Sequence, residues 1–393
     1  VSELVREPDL DALAALARAG GAEPVAEPAR RSLKRRGRGA TVNPASRYDR
    51  QAVSPFDDGW SGPDVAEGLE ALPPLATTLH KDASRSAISW NESPDIGFDR
   101  AVNPYRGCEH GCVYCYARPT HAYLGWSPGL DFETKLLFKP EVAELLEREL
   151  RKPGYEARPL ALGSNTDPYQ PVERTLQLTR AVLQVMDRTG HPCSIVTKSA
   201  GVLRDMDVLR ALASRRLVRV WLSVTTLDAR LARRMEPRAA APQRRLEAVA
   251  ALAAAGVPVG VLAAPMIPGL NDAELERILE ASAAAGAGCA GYVLLRLPHE
   301  LRQIFQDWLE QHMPDRARHV LELIRQTRAG ALNDARFGHR FGGTGPYAEL
   351  LAQRFARAAR ALSLDQRSEL ECGLFVPPAA PAQEPDRRQL SLL

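Results

Sequence analysis

The sequence predicts an α/β protein in which six β–α units follow one another through the middle of the chain. Short apolar runs alternate with helical patterns between residues 97 and 298. The runs are continuously apolar, as strands covered on both faces read. Each run also ends in polar or glycine-rich residues, and in a parallel sheet function gathers on the loops after the strand C-termini. Right-handed β–α crossovers close such a series as a doubly wound sheet or as a barrel, and both remain open at this point.

The elements follow in order. "GFDRAVNPY" (97–105) is the opening strand and "KPEVAELLEREL" (139–150) its helix. "RPLALGS" (158–164) is the second strand. A helix is expected from about Val172 to Arg188, burying Leu176, Ala181, Leu183 and Met186. "CSIVTKS" (193–199) and "LVRVWLSVTT" (217–226) are the third and fourth strands, with the helix "GVLRDMDVLRALASRR" between them. "PQRRLEAVAALAAAG" follows as a helix, with Pro242 as its first residue. "VPVGVLAAPMI" (257–267) and "AGYVLLRLP" (290–298) flank the helix "NDAELERILEASAAAG". Beyond them, "LRQIFQDWLEQHM" and "ARHVLELIRQTR" read as helices. The glycine-rich "RFGHRFGGTGPY" (336–347) either connects helices or brings Arg336, Arg340 and Tyr347 over the open end of the sheet.

The 393 residues suffice for one large core or two ordinary ones, and the net charge of +3 says little about partners. No apolar run reaches the roughly 18 residues of a membrane span, and no apolar signal segment opens the chain, so a cytoplasmic protein is expected. Residues 1–80 read as a flexible basic arm. Within it, residues 8–19 suit a short helix with Leu10, Leu13, Leu16 and Ala17 on one face. Arg30, Arg31, Lys34, Arg35, Arg36 and Arg38 form a basic run, which is either a solvated tail or an attachment to phosphate backbones. The barrel or sheet would span 81–300, a helical extension 301–372, and a disordered Pro- and Ala-rich tail 373–393.

Three of the six cysteines fall in "CEHGCVYCY" (108–116). In a reducing compartment clustered thiols point to metal or catalysis. Gly107 and Gly111 let the loop fold tightly so that Cys108, Cys112 and Cys115 converge. Three thiolates can hold three corners of a 4Fe–4S cube and leave one iron open for a ligand. A zinc site would need a fourth ligand, for which His110 and His121 are near in sequence. A cluster serving only electron transfer is a third option.

The Cys-x3-Cys-x2-Cys spacing, with Tyr114 directly before the third cysteine, resembles the signature of the radical S-adenosylmethionine superfamily. "CEHGCVYCYAR", "GSNTDPYQPVE" and "GTGPYAELLAQRF" resemble its spore photoproduct lyase-like group, which includes DNA repair photolyases. The resemblance covers residues 85 to 360. It implies a partial (β/α)6 TIM-like barrel with the cysteine loop after the first strand, a 4Fe–4S cluster and S-adenosylmethionine as cofactors, and an electron donor such as a flavodoxin or ferredoxin. The reduced cluster would cleave the cofactor to a 5′-deoxyadenosyl radical that abstracts hydrogen from substrate. Ser164, Asn165, Thr166 and Asp167 would meet the methionine end, or form an Asx-type turn before Pro168. Lys198 would meet the methionine carboxylate, and Ser223 would face the ribose or fill the barrel. "PMIPGLND" would lie along the adenine, near Tyr114. Tyr116 would face the substrate or relay hydrogen. Spore photoproduct lyases carry a further cysteine near the end of the second strand, and "ALGSNTD" has none; Cys193, Cys289 and Cys372 read as small core residues. The relatives' action on DNA makes nucleic acid a candidate partner of the basic arm. Deleting residues 1–45 is then expected to weaken that binding and leave cofactor cleavage intact.

Overall fold

The computed structural model describes residues 37–49, 75–366 and 369–379. The expected helix at 8–19 and the basic run from Arg30 to Arg36 lie outside them. Six parallel strands form the sheet: β3 (Arg100–Val102), β6 (Leu160–Leu162), β7 (Cys193–Thr197), β8 (Val218–Ser223), β9 (Val259–Met266) and β10 (Cys289–Leu294). Their spatial order is their chain order, and β2 (Ile88–Trp90) adds antiparallel to β3 at one edge. A doubly wound sheet would reverse direction midway. The uninterrupted order instead selects the partial (β/α)6 barrel, left open between β10 and the β2 edge. A second sheet joins β1 (Thr78–Lys81), β5 (Lys135–Phe138) and β4 (Tyr105–Arg106), and β4 leads directly into the cysteine loop.

Strand parity sorts the side chains. Val218, Val220 and Leu222 of β8 join the helix-covered core, so Arg219, Trp221 and Ser223 take the other, barrel-interior face. In register across four strands run Val196, Trp221, Gly260 and Cys289. A Cβ on Gly260 would stand 2.6 Å from both the Trp221 ring and the Cys289 sulfur. Gly260 thus makes room for the indole. Cys289 and Cys193 open their strands, at the end opposite the functional loops.

Three expectations are corrected. The helix after β6 is broken: Gln177 adopts φ 52°, separating Glu173–Leu176 from Leu178–Thr189. The phase shifts there, so Val182, Leu183, Val185 and Met186 are buried while Leu176 and Ala181 are only half-buried. The expected arm is not free throughout. Ala40 joins a core with Val113, Tyr114 and the helix Leu301–His312, and β1 pairs with β5. The tail is fixed as far as residue 379. Val376 N donates to Thr189 O at 2.8 Å, Arg151 reaches Ala379 O at 2.8 Å, and the Phe375 ring packs on His191 and Tyr155. The C-terminal helices Leu301–His312 and Pro314–Gln326 share that core with the cysteine loop through Trp308, Phe305, Val320 and Cys112. No helix among the described residues is long and apolar enough to cross a membrane.

Replacing Gly260 by Val drives a branched side chain into Trp221. It should destabilise the protein by about 1–3 kcal/mol, read as a lower urea midpoint with unchanged slope. An unchanged midpoint would contradict this packing.

Candidate functional site

The cysteine loop turns at two glycines that need the left-handed region, Gly107 at φ 80° and Gly111 at φ 67°. A side chain at Gly111 would also meet the Glu133 carboxylate at 2.7 Å. The loop's free carbonyls converge on one guanidinium. Arg118, fully buried, donates to Cys112 O at 2.8 Å, Gly111 O at 3.1 Å, Gly129 O at 2.8 Å and Pro128 O at 3.2 Å, and pairs with Glu133. Glu133, also fully buried, accepts from Gly39 N at 3.0 Å and Ala40 N at 2.8 Å. Gly39 lies so close that a Cβ would stand 1.7 Å from Gly111 O. Arg38 donates to Glu133 O at 2.8 Å and Leu75 O at 2.6 Å. The last arginine of the basic run is therefore a buried clamp on the thiol loop, which corrects its reading as a solvated or phosphate-binding cation. Deleting residues 1–45 would remove this clamp, so the expectation of intact cofactor chemistry is withdrawn.

Other side chains tie the loop to the strand ends. Gln170 donates to Gly107 O at 3.2 Å and accepts from Glu109 N at 2.9 Å. Asp167 accepts from Lys198 N and the Thr197 hydroxyl, both at 2.7 Å, and from Tyr169 N at 2.9 Å, the Asx turn. His110 Nδ1 lies 3.2 Å from its carboxylate. Burial alone would raise the Asp167 pKa, but His110 and these donors lower it to about 2. Thr166, buried, donates to Tyr105 O at 3.2 Å. Asp167 and Thr166 thus bond the scaffold in this arrangement. Ser164 and the Asn165 amide are held by Asn103 at 3.1 Å each. Tyr114, buried, bonds Glu236 and lies 3.2 Å from the Thr225 hydroxyl. Glu236 in turn pairs with buried Arg245, which donates to Ser223 O at 2.9 Å. Ser223 is buried on the barrel-interior face at the end of β8. Tyr116 is half exposed and turns its hydroxyl to Ser164 O. The other arginines expected to close the mouth pair locally: Arg336 with Asp334, Arg340 with Asp95. Tyr347 bonds Asp272.

The thiols occupy an apolar, water-poor setting. Burial first, then Asp167 and the two neighbouring thiols, push the Cys108 thiol well above its usual range. Burial also pushes Cys112 up, against the pull of Lys198. Such thiols ionise only when a cation offsets their charge, the coupling expected of a metal-binding set. The Lys198 ammonium stands 5.7 Å over the Tyr114 ring, facing the loop from the end of β7. His121, one candidate fourth zinc ligand, faces Lys135 O at 2.9 Å and is held neutral by burial, with a pKa lowered to about 4. His110, the other, faces Asp167. Among the described residues no group of three or more His, Cys, Asp or Glu side chains is gathered around one metal-ion position. The donor set that remains is three cysteines spread along one loop, which suits the separate corners of a cube better than four ligands on one ion.

The model of the radical SAM superfamily matches residues 102–281, from the end of β3 into the helix after β9. Uncharacterized proteins of Mycobacterium tuberculosis and Mycobacterium bovis are 36% identical over 298 residues, which cover 71% of this chain and 86% of theirs. An uncharacterized protein of Methanocaldococcus jannaschii is 29% identical over 178 residues, 45% of this chain and 64% of its own. A structure of spore photoproduct lyase complexed with dinucleoside spore photoproduct superposes with TM-score 0.53 at 17% identity, over 72% of this chain and 79% of that one. That likeness carries the fold.

Glu133→Ala leaves the Arg118 guanidinium buried without its partner. It should cost about 3–5 kcal/mol of stability and speed alkylation of Cys108 and Cys112 in the native protein. A chain starting at residue 46 should show the same faster alkylation, and one starting at residue 34 should not. Equal alkylation rates in all forms would remove the clamp's role.

Proposed function

The chain belongs to the radical S-adenosylmethionine superfamily, and from that premise we propose that Cys108, Cys112 and Cys115 hold a 4Fe–4S cluster at which S-adenosylmethionine is reductively cleaved to start radical chemistry on a nucleic-acid substrate. The observation that carries this reading is the set of three thiols on one loop at the strand C-termini, Cys108 and Cys112 buried and Cys115 half-buried, faced by the Lys198 ammonium. When bound, the cluster supplies the electron that breaks the sulfonium C–S bond and the open iron that chelates the cofactor. The chain's own residues do the positioning. Lys198 offers a point charge to the cofactor's carboxylate. Ser164, Asn165 and Ser223 offer short polar groups around it. The Tyr114 ring, its hydroxyl locked by Glu236, gives the adenine a fixed flat face. Arg118 and Arg38 hold the thiol loop closed against water. Tyr116, half exposed beside Cys115, faces the substrate as a hydrogen relay.

The spore photoproduct lyase that superposes is complexed with dinucleoside spore photoproduct, and the arginines and aromatic rings beside Tyr116 suit a nucleic acid as well. The second strand end carries no cysteine, and Cys193 and Cys289 lie at the opposite strand ends. The spore photoproduct itself is therefore not the proposed substrate.

Anaerobic reconstitution should give about four irons and four sulfides per chain. Alanine at Cys108, Cys112 or Cys115 should abolish the stable cluster, and alanine at Cys193 should not. Tightly bound zinc with no visible absorption band would sink the proposal.

With dithionite, the reconstituted protein should form 5′-deoxyadenosine and methionine without substrate. Lys198→Ala should weaken cofactor binding by roughly tenfold or more, through loss of a charge-assisted contact. An intact cluster that forms no 5′-deoxyadenosine under strong reduction contradicts the enzyme reading.

A further inference from the structure

Beside the thiol loop, guanidinium groups and aromatic rings alternate along the barrel mouth. The Arg296 guanidinium lies 5.7 Å from the Tyr116 ring centre and 5.0 Å from that of Phe341. Arg340 lies 4.9 Å from Phe341 and 4.8 Å from Phe337. The row is fixed in place. Arg328, fully buried, donates to His339 O and Arg340 O from one nitrogen and to Leu294 O and Leu295 O from another, bolting the 336–343 loop to the end of β10. Leu294 N donates to Phe341 O at 2.8 Å.

The two exposed-side arginines differ in one respect. Arg340 is neutralised by Asp95, at 2.5 and 2.9 Å. Arg296 is not. Its buried Nε has no hydrogen-bond partner, and among the described residues no carboxylate lies at ion-pair distance from it. Burial, and then the like charge of Arg340, lower its pKa, against the opposing pull of Tyr116 and the Asp95 carboxylate. A partly desolvated guanidinium whose Nε has no partner is costly to keep without an anion. An anion arriving there recovers that cost.

The planar fork of Arg binds carboxylates and phosphates alike through two parallel N–H donors, and it is the rings beside it that favour a phosphate of a nucleic acid. The flanking rings are open to stacking, with Tyr116 50% and Phe337 56% exposed. Cations interleaved with exposed rings make up a track for unpaired strands. We infer that Arg296 is the phosphate-binding residue of the substrate site, and that it takes a single-stranded or locally unpaired nucleic-acid segment whose backbone crosses between Tyr116 and Phe341. The inference rests on the radical-enzyme reading only for calling this the substrate site.

The test is anisotropy of a labelled thymidine oligonucleotide, with the reconstituted full chain, across a salt series. Arg296→Ala should weaken binding about tenfold or more and flatten the log–log salt slope by about 0.7. Arg296→Lys should restore the slope but not the full affinity. Phe337→Ala, at an exposed position that leaves folding intact, should weaken binding at least about fivefold through lost stacking. Wild-type-like binding by all three variants overturns the inference, as does an Arg296-dependent preference for a glutamate-rich peptide over the oligonucleotide. Substrate-free 5′-deoxyadenosine formation by the wild type, read in parallel, separates the two claims. Cleavage with Arg296-independent binding overturns this site alone. Arg296-dependent binding without cleavage upholds the phosphate site and overturns the radical reading.

Discussion

The buried pair of Arg118 with Glu133 is the constraint on which the thiol loop depends. Neither charge reaches water, so each must be met by fixed groups. Arg118 meets its need with four loop carbonyls, two of them belonging to Gly111 and Cys112. Glu133 meets its own with two amides of the segment before the barrel. A buried ion pair of this kind is a poor source of net stability, but it tolerates few geometries. It holds a loop with two buried thiols, Cys108 and Cys112, in one arrangement, which a cofactor site requires.

From that loop the polar connections radiate, one to each neighbouring strand end. Gln170 and Asp167 tie it to the loop after β6 and to β7, and Tyr114 with Glu236 and Arg245 ties it to β8. Asn271 bonds Thr225 O and Pro265 O, joining the ends of β8 and β9. Arg328 closes the series at β10. At the opposite end of the sheet, Phe375 packs on His191 and Tyr155, and Val376 N and Glu371 N bond Thr189 O and Arg216 O. The molecule therefore separates its tasks: dispersion and hydrophobic burial hold the strands, and directional bonds at one end hold the chemistry. Arg296, beside this network, keeps a buried Nε without a hydrogen-bond partner.

The strands were legible because buried parallel strands are continuous apolar runs. The choice between barrel and doubly wound sheet was not legible in that pattern, since it lies in which strands pair; resemblance supplied it. The break at Gln177 carries neither Gly nor Pro, so the helical pattern ran through it. The three thiols were legible from spacing alone. Their supports were not, because each joins residues far apart in the chain: Glu133 bonds Gly39 and Ala40 across 94 and 93 positions. Arg38 was misread because five other cations precede it in the same run, and only Gly37 and Gly39 beside it hint at a close approach. The scaffold bonds of Thr166 and Asp167 were not legible either, because a polar residue at a strand end suits a scaffold bond and a cofactor contact equally, and the type does not say where its oxygen is spent. Arg296 reads from sequence as one of the polar strand ends, in "RLP" (296–298), and its type does not say that its Nε lacks a partner.

Three loop cysteines would leave one iron of the proposed cluster open to S-adenosylmethionine. Mössbauer spectroscopy of protein reconstituted with isotopically enriched iron, with and without S-adenosylmethionine, reads that iron separately. The three-thiol loop predicts that one iron in about four changes its signature when the cofactor is added while the others keep theirs. Irons that stay indistinguishable and unchanged by the cofactor would contradict it.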